Sequence, residues 1–480
     1  MDSKEFLINS QKTSEYIVEY NERLASNRLP VMPSGELKAG YLRSLIPCIA
    51  PETGETYDAI LGDLDRVIMP GVTQWHHPNF FGYFPTAKSY ASLLGDVVSG
   101  TIACIGFSWA SCPACTELEV IVLDWLIRAM DLPEYFLSTS QTGGGVIQGS
   151  ASMASAMIVM GMRSKSLRDN KITEQPGAFT DRLVVYFSEE AHSSVERACQ
   201  ISLVQYRPIR SSLGLNAGMC REELERQIRE DLSKGLVPIM VIGTLGTTGS
   251  CAFDDIEAIG DICIKYNLWF HIDAAYFGTG LLCPEYQYLA EGIKKVDSFN
   301  FNLHKLGLVI FDCSILYVKD KRILSESFII NPQYLVNESN EMPEYRHWEI
   351  NLGRRFRSLK IWFTLRAHGL SGFRDHVRKH TRMARRFADL IESSDPFEVV
   401  NKIDFGLVCF RAKGTDDLNR RLYAAIQKER KIFIVTSSFK SGRDEKYYLR
   451  FTPSIATEET NVQFAFEHIS STLQSLEVKE

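Results

Sequence analysis

The chain has 480 residues, 45% of them hydrophobic and 23% charged, the balance of a soluble globular protein long enough for two or three structural units. Lysine and arginine number 53 against 59 acidic residues, a net charge of −6 with no long run of one sign, so nucleic-acid and anionic-membrane binding gain no support. No stretch approaches the roughly 18 uncharged apolar residues of a membrane helix, and the eleven cysteines are scattered and odd in number, which favours reduced thiols and a cytoplasmic setting.

Met1 to Asn27 shows helical spacing at Phe6, Leu7, Tyr16, Ile17, Tyr20 and Leu24, without the unbroken apolar core of a signal peptide. It opens an expected N-terminal arm over residues 1–88, whose later part is rich in proline and aromatics and is punctuated by Met69-Pro70-Gly71 and Phe84-Pro85-Thr86. Cys112-Pro113-Ala114-Cys115 is a lone CxxC. No second pair stands at zinc-like spacing, so it reads better as a loop-to-helix junction than as a redox or metal pair, and no metal site is expected. Glu117 to Met130 predicts a helix. Gly143 to Ser152 predicts a glycine-rich turn ahead of a helical segment, Met153 to Arg163. Ser164 to Asp181 is polar, carries Pro176-Gly177 and predicts a surface loop. Leu183–Phe187, Ile239–Ile242, Trp269–Ile272 and Phe299–Phe301 are short apolar strands separated by helical patterns. That order predicts a large α/β domain over residues 89–360 with a mostly parallel central sheet flanked by helices. After 360, a long helix, Phe373 to Ser393, precedes apolar runs at Gly406–Phe410, Ile432–Val435 and Tyr447–Phe451. They predict a smaller C-terminal α+β domain over 361–480.

Two runs carry the chemistry. Leu268-Trp269-Phe270-His271-Ile272-Asp273-Ala274-Ala275 ends on a carboxylate and two small residues. Ser298-Phe299-Asn300-Phe301-Asn302-Leu303-His304-Lys305 ends on a lysine. An acid and an amine at strand ends suit a pyridoxal phosphate enzyme, where the lysine forms a Schiff base and the acid keeps the pyridine nitrogen protonated. Phe301, Leu303, Leu306, Leu308, Val309 and Ile310 surround Lys305 with apolar groups, which lowers a lysine's proton affinity. Asp273 could equally cap a helix. The Gly143–Ser152 turn could seat a phosphate at a helix start, although it lacks the ending of a nucleotide P-loop, and a plain turn is the competing reading. His192, just past the Leu183–Phe187 strand, stands where a flat ring could stack on a planar cofactor or where a histidine could simply brace a loop. Tyr334, in the Asn331–Asn340 loop, is a candidate proton donor or a half-buried aromatic.

Several ordered segments then coincide with one family. They are Ile68–Thr73, Phe80–Thr86, Ile105–Trp109, Pro113–Glu119, Gly143–Ser152, Ala191–Ala198, His271–Tyr276, Asn300–Lys305, Tyr345–Trp348 and Leu352–Lys360. Through them the chain resembles, nearly end to end, the aromatic-L-amino-acid decarboxylases, which are group II, fold type I pyridoxal phosphate enzymes. Met153, Leu303 and Leu306 are positions where it differs from that pattern. The resemblance implies that Lys305 holds the cofactor, Asp273 pairs with the pyridine nitrogen and His192 stacks on the ring. It places Ala151, Ser152, Asn302 and His304 around the phosphate, and Thr248 and Ala275 along the cofactor. Tyr334 would return a proton to the substrate's α-carbon. Trp75, Tyr83, Phe84, Pro85 and Thr86 would shape the pocket for an aromatic ring. Ile105, Phe107, Leu352 and Gly353 would complete it, partly from the second subunit of a homodimer. The implied reaction converts aromatic L-amino acids of the dihydroxyphenylalanine, 5-hydroxytryptophan, tyrosine or tryptophan type to monoamines and carbon dioxide. Two alternatives stand beside it: an aromatic acetaldehyde synthase on the same scaffold, and a non-catalytic relative. Retention of both His192 and Tyr334 favours the simple decarboxylase.

Overall fold

Seven strands build the sheet that carries the site. They are β1 (Gly144–Gln148), β2 (Leu183–Ser188), β3 (Gln205–Ile209), β4 (Val237–Thr244), β5 (Trp269–Asp273), β6 (Ser298–Asn302) and β7 (Ser314–Val318), in the spatial order β1-β7-β6-β5-β4-β2-β3. The computed structural model describes residues 1–212, 218–330, 342–439 and 446–478. β3, β2, β4, β5 and β6 run parallel, and β7 alone is reversed, paired antiparallel with β6 and β1. This is the mostly parallel sheet predicted, with connecting helices on its faces.

Alternate residues of β2 show why its sequence is a continuous apolar run. Leu183, Val185 and Phe187 enter one core with the helices Ala151–Asp169 and Ser193–Ser202. Val184 and Tyr186 enter the other, with Pro113–Ala129, Arg221–Ser233 and Ile256–Tyr266. A strand covered on both faces has no polar side to display. Fully burying each such side chain contributes roughly 1.5–3 kcal/mol.

A second, antiparallel sheet holds β8 (Phe397–Val399), β9 (Val408–Ala412), β10 (Val435–Ser438) and β11 (Tyr447–Phe451), in the order β10-β11-β9-β8. Its core packs Phe410 and Phe451 against Phe387 of the long helix Ser358–Glu392. At the other end of the chain the helix Ser3–Ala25 starts at a capping box between Asp2 and Glu5 and leaves Phe6 and Leu7 exposed. Among the described residues no helix is long and apolar enough to cross a membrane.

Four local expectations change. The glycine-rich segment is strand β1 rather than a turn, and only Gly149-Ser150 turns before the helix. A Cβ on Gly145 would lie 2.6 Å from the ring of Tyr317, its cross-strand partner, and one on Gly144 would lie 2.8 Å from Trp348. The glycines make room for aromatic rings on the strand. Ser164–Asp169 continues the helix begun at Ala151, and Pro176–Thr180 forms a further short helix, so little of the expected loop is irregular. The long helix begins at Ser358 and breaks at Gly369, whose φ of 62° lies in the left-handed region that favours glycine. Ile432–Val435 is mostly not strand. Phe433 donates its amide to Asn79 and accepts from the amide of Phe81, so its backbone serves the aromatic segment instead, and β10 starts only at Val435.

Candidate active site

The carboxyl ends of β4, β5 and β6 meet at one edge of the large sheet, the edge where open α/β sheets bind ligands. In β5 the residues Trp269, His271 and Asp273 share a face, and in β6 so do Ser298, Asn300 and Asn302. The parallel register sets His271 beside Ser298 and Asp273 beside Asn300. A buried polar chain follows. Trp269 Nε1 donates to Ser298 Oγ at 2.8 Å, and Ser298 Oγ lies 2.8 Å from His271 Nδ1. His271 Nε2 lies 2.9 Å from Asn300 Oδ1, and Asn300 Nδ2 donates to Asp273 Oδ1 at 3.2 Å. Burial holds the His271 imidazole down at about 4, so the ring is neutral. A neutral ring that donates from Nε2 accepts from the Ser298 hydroxyl at Nδ1, which turns the Asn300 amide so that its NH₂ faces the carboxylate. Asp273 Oδ1 also accepts from the amide of Ala275 at 3.0 Å. The acid is therefore fixed in orientation by two donors, the Asn300 amide group and the Ala275 backbone N–H. His271 and Asn300 escaped the sequence reading as functional groups. Their signal is present all the same: polar residues recur with period two inside two otherwise apolar strands.

The strand ends at Asn302, and Lys305 sits on the short helical segment Leu303–Leu306 that follows rather than on the strand itself. It faces a cavity of about 160 Å³ lined by Phe84, Ser150, Ala151, Ser152, His192, Ser194, Thr244, Gly246, Thr248, Asp273, Ala275, Tyr276, Asn302 and Lys305. Eight of the nine expected cofactor residues line that space, and His304 does not. The His304 ring accepts the amide of Cys313 at Nδ1 (2.9 Å) and lies 4.8 Å from the Phe311 ring, so it braces the loop behind the lysine. Ser194, Thr244, Gly246 and Tyr276 join the lining without having been expected there.

Burial pulls the Lys305 ammonium below its ordinary range, with the Asp273 charge partly opposing the shift. Burial likewise lowers His192, partly opposed by Asp273 and reinforced by Lys305 and Arg197. His192 Nδ1 accepts the Ser194 amide at 3.1 Å, which leaves the proton of the neutral ring on Nε2.

An aromatic wall closes the cavity. Phe84 stacks on Tyr276 with centroids 3.7 Å apart and an interplanar angle of 11°. Lys305 Nζ lies 5.3 Å from the Phe84 centroid, and the Arg450 guanidinium lies 5.5 Å from it. Tyr276 is anchored from behind by a 2.5 Å hydrogen bond to His380 Nε2. The turn that delivers Phe84 is itself strained, because Tyr83 adopts a φ of 55°. Stacking of Trp75 on both Tyr83 and Phe80, each at 5.0 Å, holds it there.

The remaining expected pocket residues fall into separate groups. Trp75 and Tyr83 belong to that exposed stack, and Thr86 lies 3.3 Å from His76 Nε2 beside a neighbouring cavity of about 570 Å³. Ile105 and Gly353 meet each other, since a Cβ on Gly353 would touch Ile105 at 3.4 Å. The Gly106 amide donates to Arg354 O, and Phe107 O accepts from Arg346. Ile105 and Leu352 are 57% and 46% exposed and line no part of the Lys305 cavity. Tyr334 lies outside the described residues.

The cavity suits pyridoxal phosphate. Thr244 Oγ1 and Asn302 Oδ1 are buried there without a hydrogen-bond partner, and buried polar atoms of that kind call for a ligand. Ser150 caps the helix Ala151–Asp169, whose first residues border the cavity and offer free amides to a phosphate. Among the described residues no group of acids, histidines and cysteines could hold a metal ion.

Comparison with known proteins agrees with this geometry. The model of the pyridoxal-dependent decarboxylase conserved domain matches residues 39–413. The chain is 44% identical to the aromatic-L-amino-acid decarboxylase of Rattus norvegicus over 99% of both chains. Its structure superposes on Oryza sativa TDC, solved with PLP and tryptamine, with a TM-score of 0.94 at 32% identity over 99% of each chain. It also superposes on Rhodiola rosea 4-hydroxyphenylacetaldehyde synthase, with a TM-score of 0.90 at 33% identity, again over 99% of each chain. A lysine and an aspartate at adjacent strand ends, a ring-sized cavity between them and a family match across most of the sequence lead to one conclusion: the chain belongs to the pyridoxal-dependent decarboxylase family.

Proposed function

We propose that this enzyme decarboxylates aromatic L-amino acids to the corresponding amines, using pyridoxal phosphate bound at Lys305. The observation that carries the reading is the single cavity that joins Lys305, Asp273 and His192 to the Phe84–Tyr276 wall. When bound, the cofactor supplies an electron sink for the pair released as carbon dioxide leaves. The chain's residues do the rest. Lys305, its proton affinity lowered by burial, offers the amine that would hold the cofactor. Asp273 would hold a proton at the ring nitrogen, and His192 would cover the ring. Ala151, Ser152 and Asn302 would take the phosphate, and Thr248 and Ala275 would line the cofactor. Phe84, on the cavity wall, orients the aromatic side chain, and Trp75, Tyr83, Pro85 and Thr86, assigned on the family resemblance, shape the segment that carries it. Tyr334, assigned on the family resemblance, delivers the proton to the α-carbon.

The cluster of exposed Ile105, Leu352 and Gly353 with half-buried Phe107 supports a homodimer in which this group from one subunit completes the pocket of the other. The test is a panel of aromatic amino acids scored for carbon dioxide, amine and hydrogen peroxide. Amine in step with carbon dioxide is expected, and Tyr334→Phe should abolish amine formation. Peroxide and ammonia in step with carbon dioxide would replace this reading with an acetaldehyde synthase.

A further inference from the structure

The CxxC pair that the catalytic reading leaves unused is part of a larger group. Cys104, Cys112 and Cys115 pack together against Phe356 and Leu359. Burial raises the Cys104 thiol, and its two neighbours act on it in opposite directions, Cys112 raising it and Cys115 lowering it. Cys104 and Cys112 are half-exposed, whereas Cys115 is buried at 1%. Burial, reinforced by the Glu119 carboxylate, pushes the Cys115 thiol far up and keeps it protonated and inert. Its sulfur is also wedged against Gly106, where any Cβ would overlap it. Cys112 occupies the N-cap of the helix Pro113–Ala129, the end of a helix that favours negative charge.

We propose that Cys104 and Cys112 form a peroxide-responsive dithiol that closes to a disulfide and thereby controls the Ile105–Phe107 segment. Its effect on catalysis rests on the reading of Ile105 and Phe107 as part of the substrate pocket. In the first step the Cys112 sulfur attacks hydrogen peroxide, the O–O bond breaks, and a sulfenic acid and one water result. The Cys104 sulfur then attacks that sulfenic sulfur. The S–S bond forms as the S–O bond breaks, and the hydroxyl leaves with the Cys104 proton as a second water. The two sulfurs together lose two electrons and peroxide gains them. Closing the bond brings the two sulfurs to about 2.0 Å, which pulls on the chain between them. That chain is Ile105 to Ser111, and it is tied through Gly106 and Phe107 to Arg354 and Arg346, beside Gly353.

The test treats purified holoenzyme with dilute hydrogen peroxide, then maps disulfides by mass spectrometry and measures steady-state kinetics. A Cys104–Cys112 linkage is expected, with KM for the aromatic amino acid raised about threefold or more and restored by dithiothreitol. Cys112→Ser should match the untreated wild type, form no linkage and keep its KM under peroxide. No linkage, or a Cys112–Cys115 linkage, overturns the site. Linkage with an unchanged KM overturns the control. If the untreated enzyme decarboxylates no aromatic amino acid, the functional reading fails, while the linkage map still decides the pair.

Discussion

Gly406→Ala probes whether the Tyr276–His380 pair holds up the wall of the cavity. The two groups are fully buried, and burial pushes the phenol far up and the imidazole down to about 3, so a neutral tyrosine donates to a neutral histidine. Gly406 lies directly against them. A Cβ there would fall well inside contact distance of both His380 Nε2 and the Tyr276 hydroxyl. The methyl must part the pair. That strands a buried donor and a buried acceptor at roughly 1–3 kcal/mol each, and overpacking adds a similar amount, so about 3–6 kcal/mol of stability is lost after partial relaxation. Tyr276 carries Phe84 on its ring, so the displacement reaches the cavity and raises KM for the aromatic amino acid. Denaturant unfolding and steady-state kinetics of the variant read the two effects. Tyr276→Phe removes one of the atoms the methyl strikes, so the double variant should lose less than the sum of the singles. A stability loss under about 1 kcal/mol with KM unchanged, or full additivity, would refute the argument.

Three further outcomes follow from the same geometry. Asp273→Asn keeps a side chain that can accept from Ala275 but removes the charge, and kcat should fall about a thousandfold, near 4 kcal/mol, with the fold intact by circular dichroism; a fall under about tenfold would remove Asp273 from its role. Arg354 is buried between Glu119, at 2.7 Å, and Glu349, so Arg354→Met leaves two carboxylates facing each other and should cost about 3–5 kcal/mol in unfolding measurements; a neutral result would show that the triad contributes nothing. Burial holds His271 and His304 at about 4 and His380 at about 3, below the ordinary 6.5. Between pH 6.5 and 4 the unfolded chain takes up protons that the folded chain refuses, so this stability is present above 6.5 and is lost as pH falls, by up to about 1.4 kcal/mol per unit per histidine. Asp254, raised by burial to about 6, works in the opposite sense over the lower part of that window. Stability at pH 5 equal to that at pH 7.5 would contradict the histidine account.

Local sequence determined more of this protein than its length suggests. Continuous apolar runs announced β2 and β4, because strands covered on both faces must be apolar throughout. The alternation in Trp269–Asp273 and Ser298–Asn302 placed an acid at one strand end and, just beyond the other, a lysine in apolar surroundings. Those signals sit inside single elements, and the periodicity of side-chain burial writes them directly. What tertiary structure alone decided lies between elements. The glycines of β1 read as a turn until Tyr317 and Trp348 occupy the space they leave. His304 adjoins Lys305 in sequence, yet the one-turn helix sends its ring to Cys313 and away from the cavity. His271 and Asn300 become a single buried relay only when β5 and β6 lie in register. His380 reaches Tyr276 across 104 residues, and Cys104 and Cys112 pack on one cluster with Cys115, Phe356 and Leu359 through the fold of the segment between them. Neighbours along the chain share a period, but neighbours across the fold share only a surface, and which surfaces meet is settled by packing.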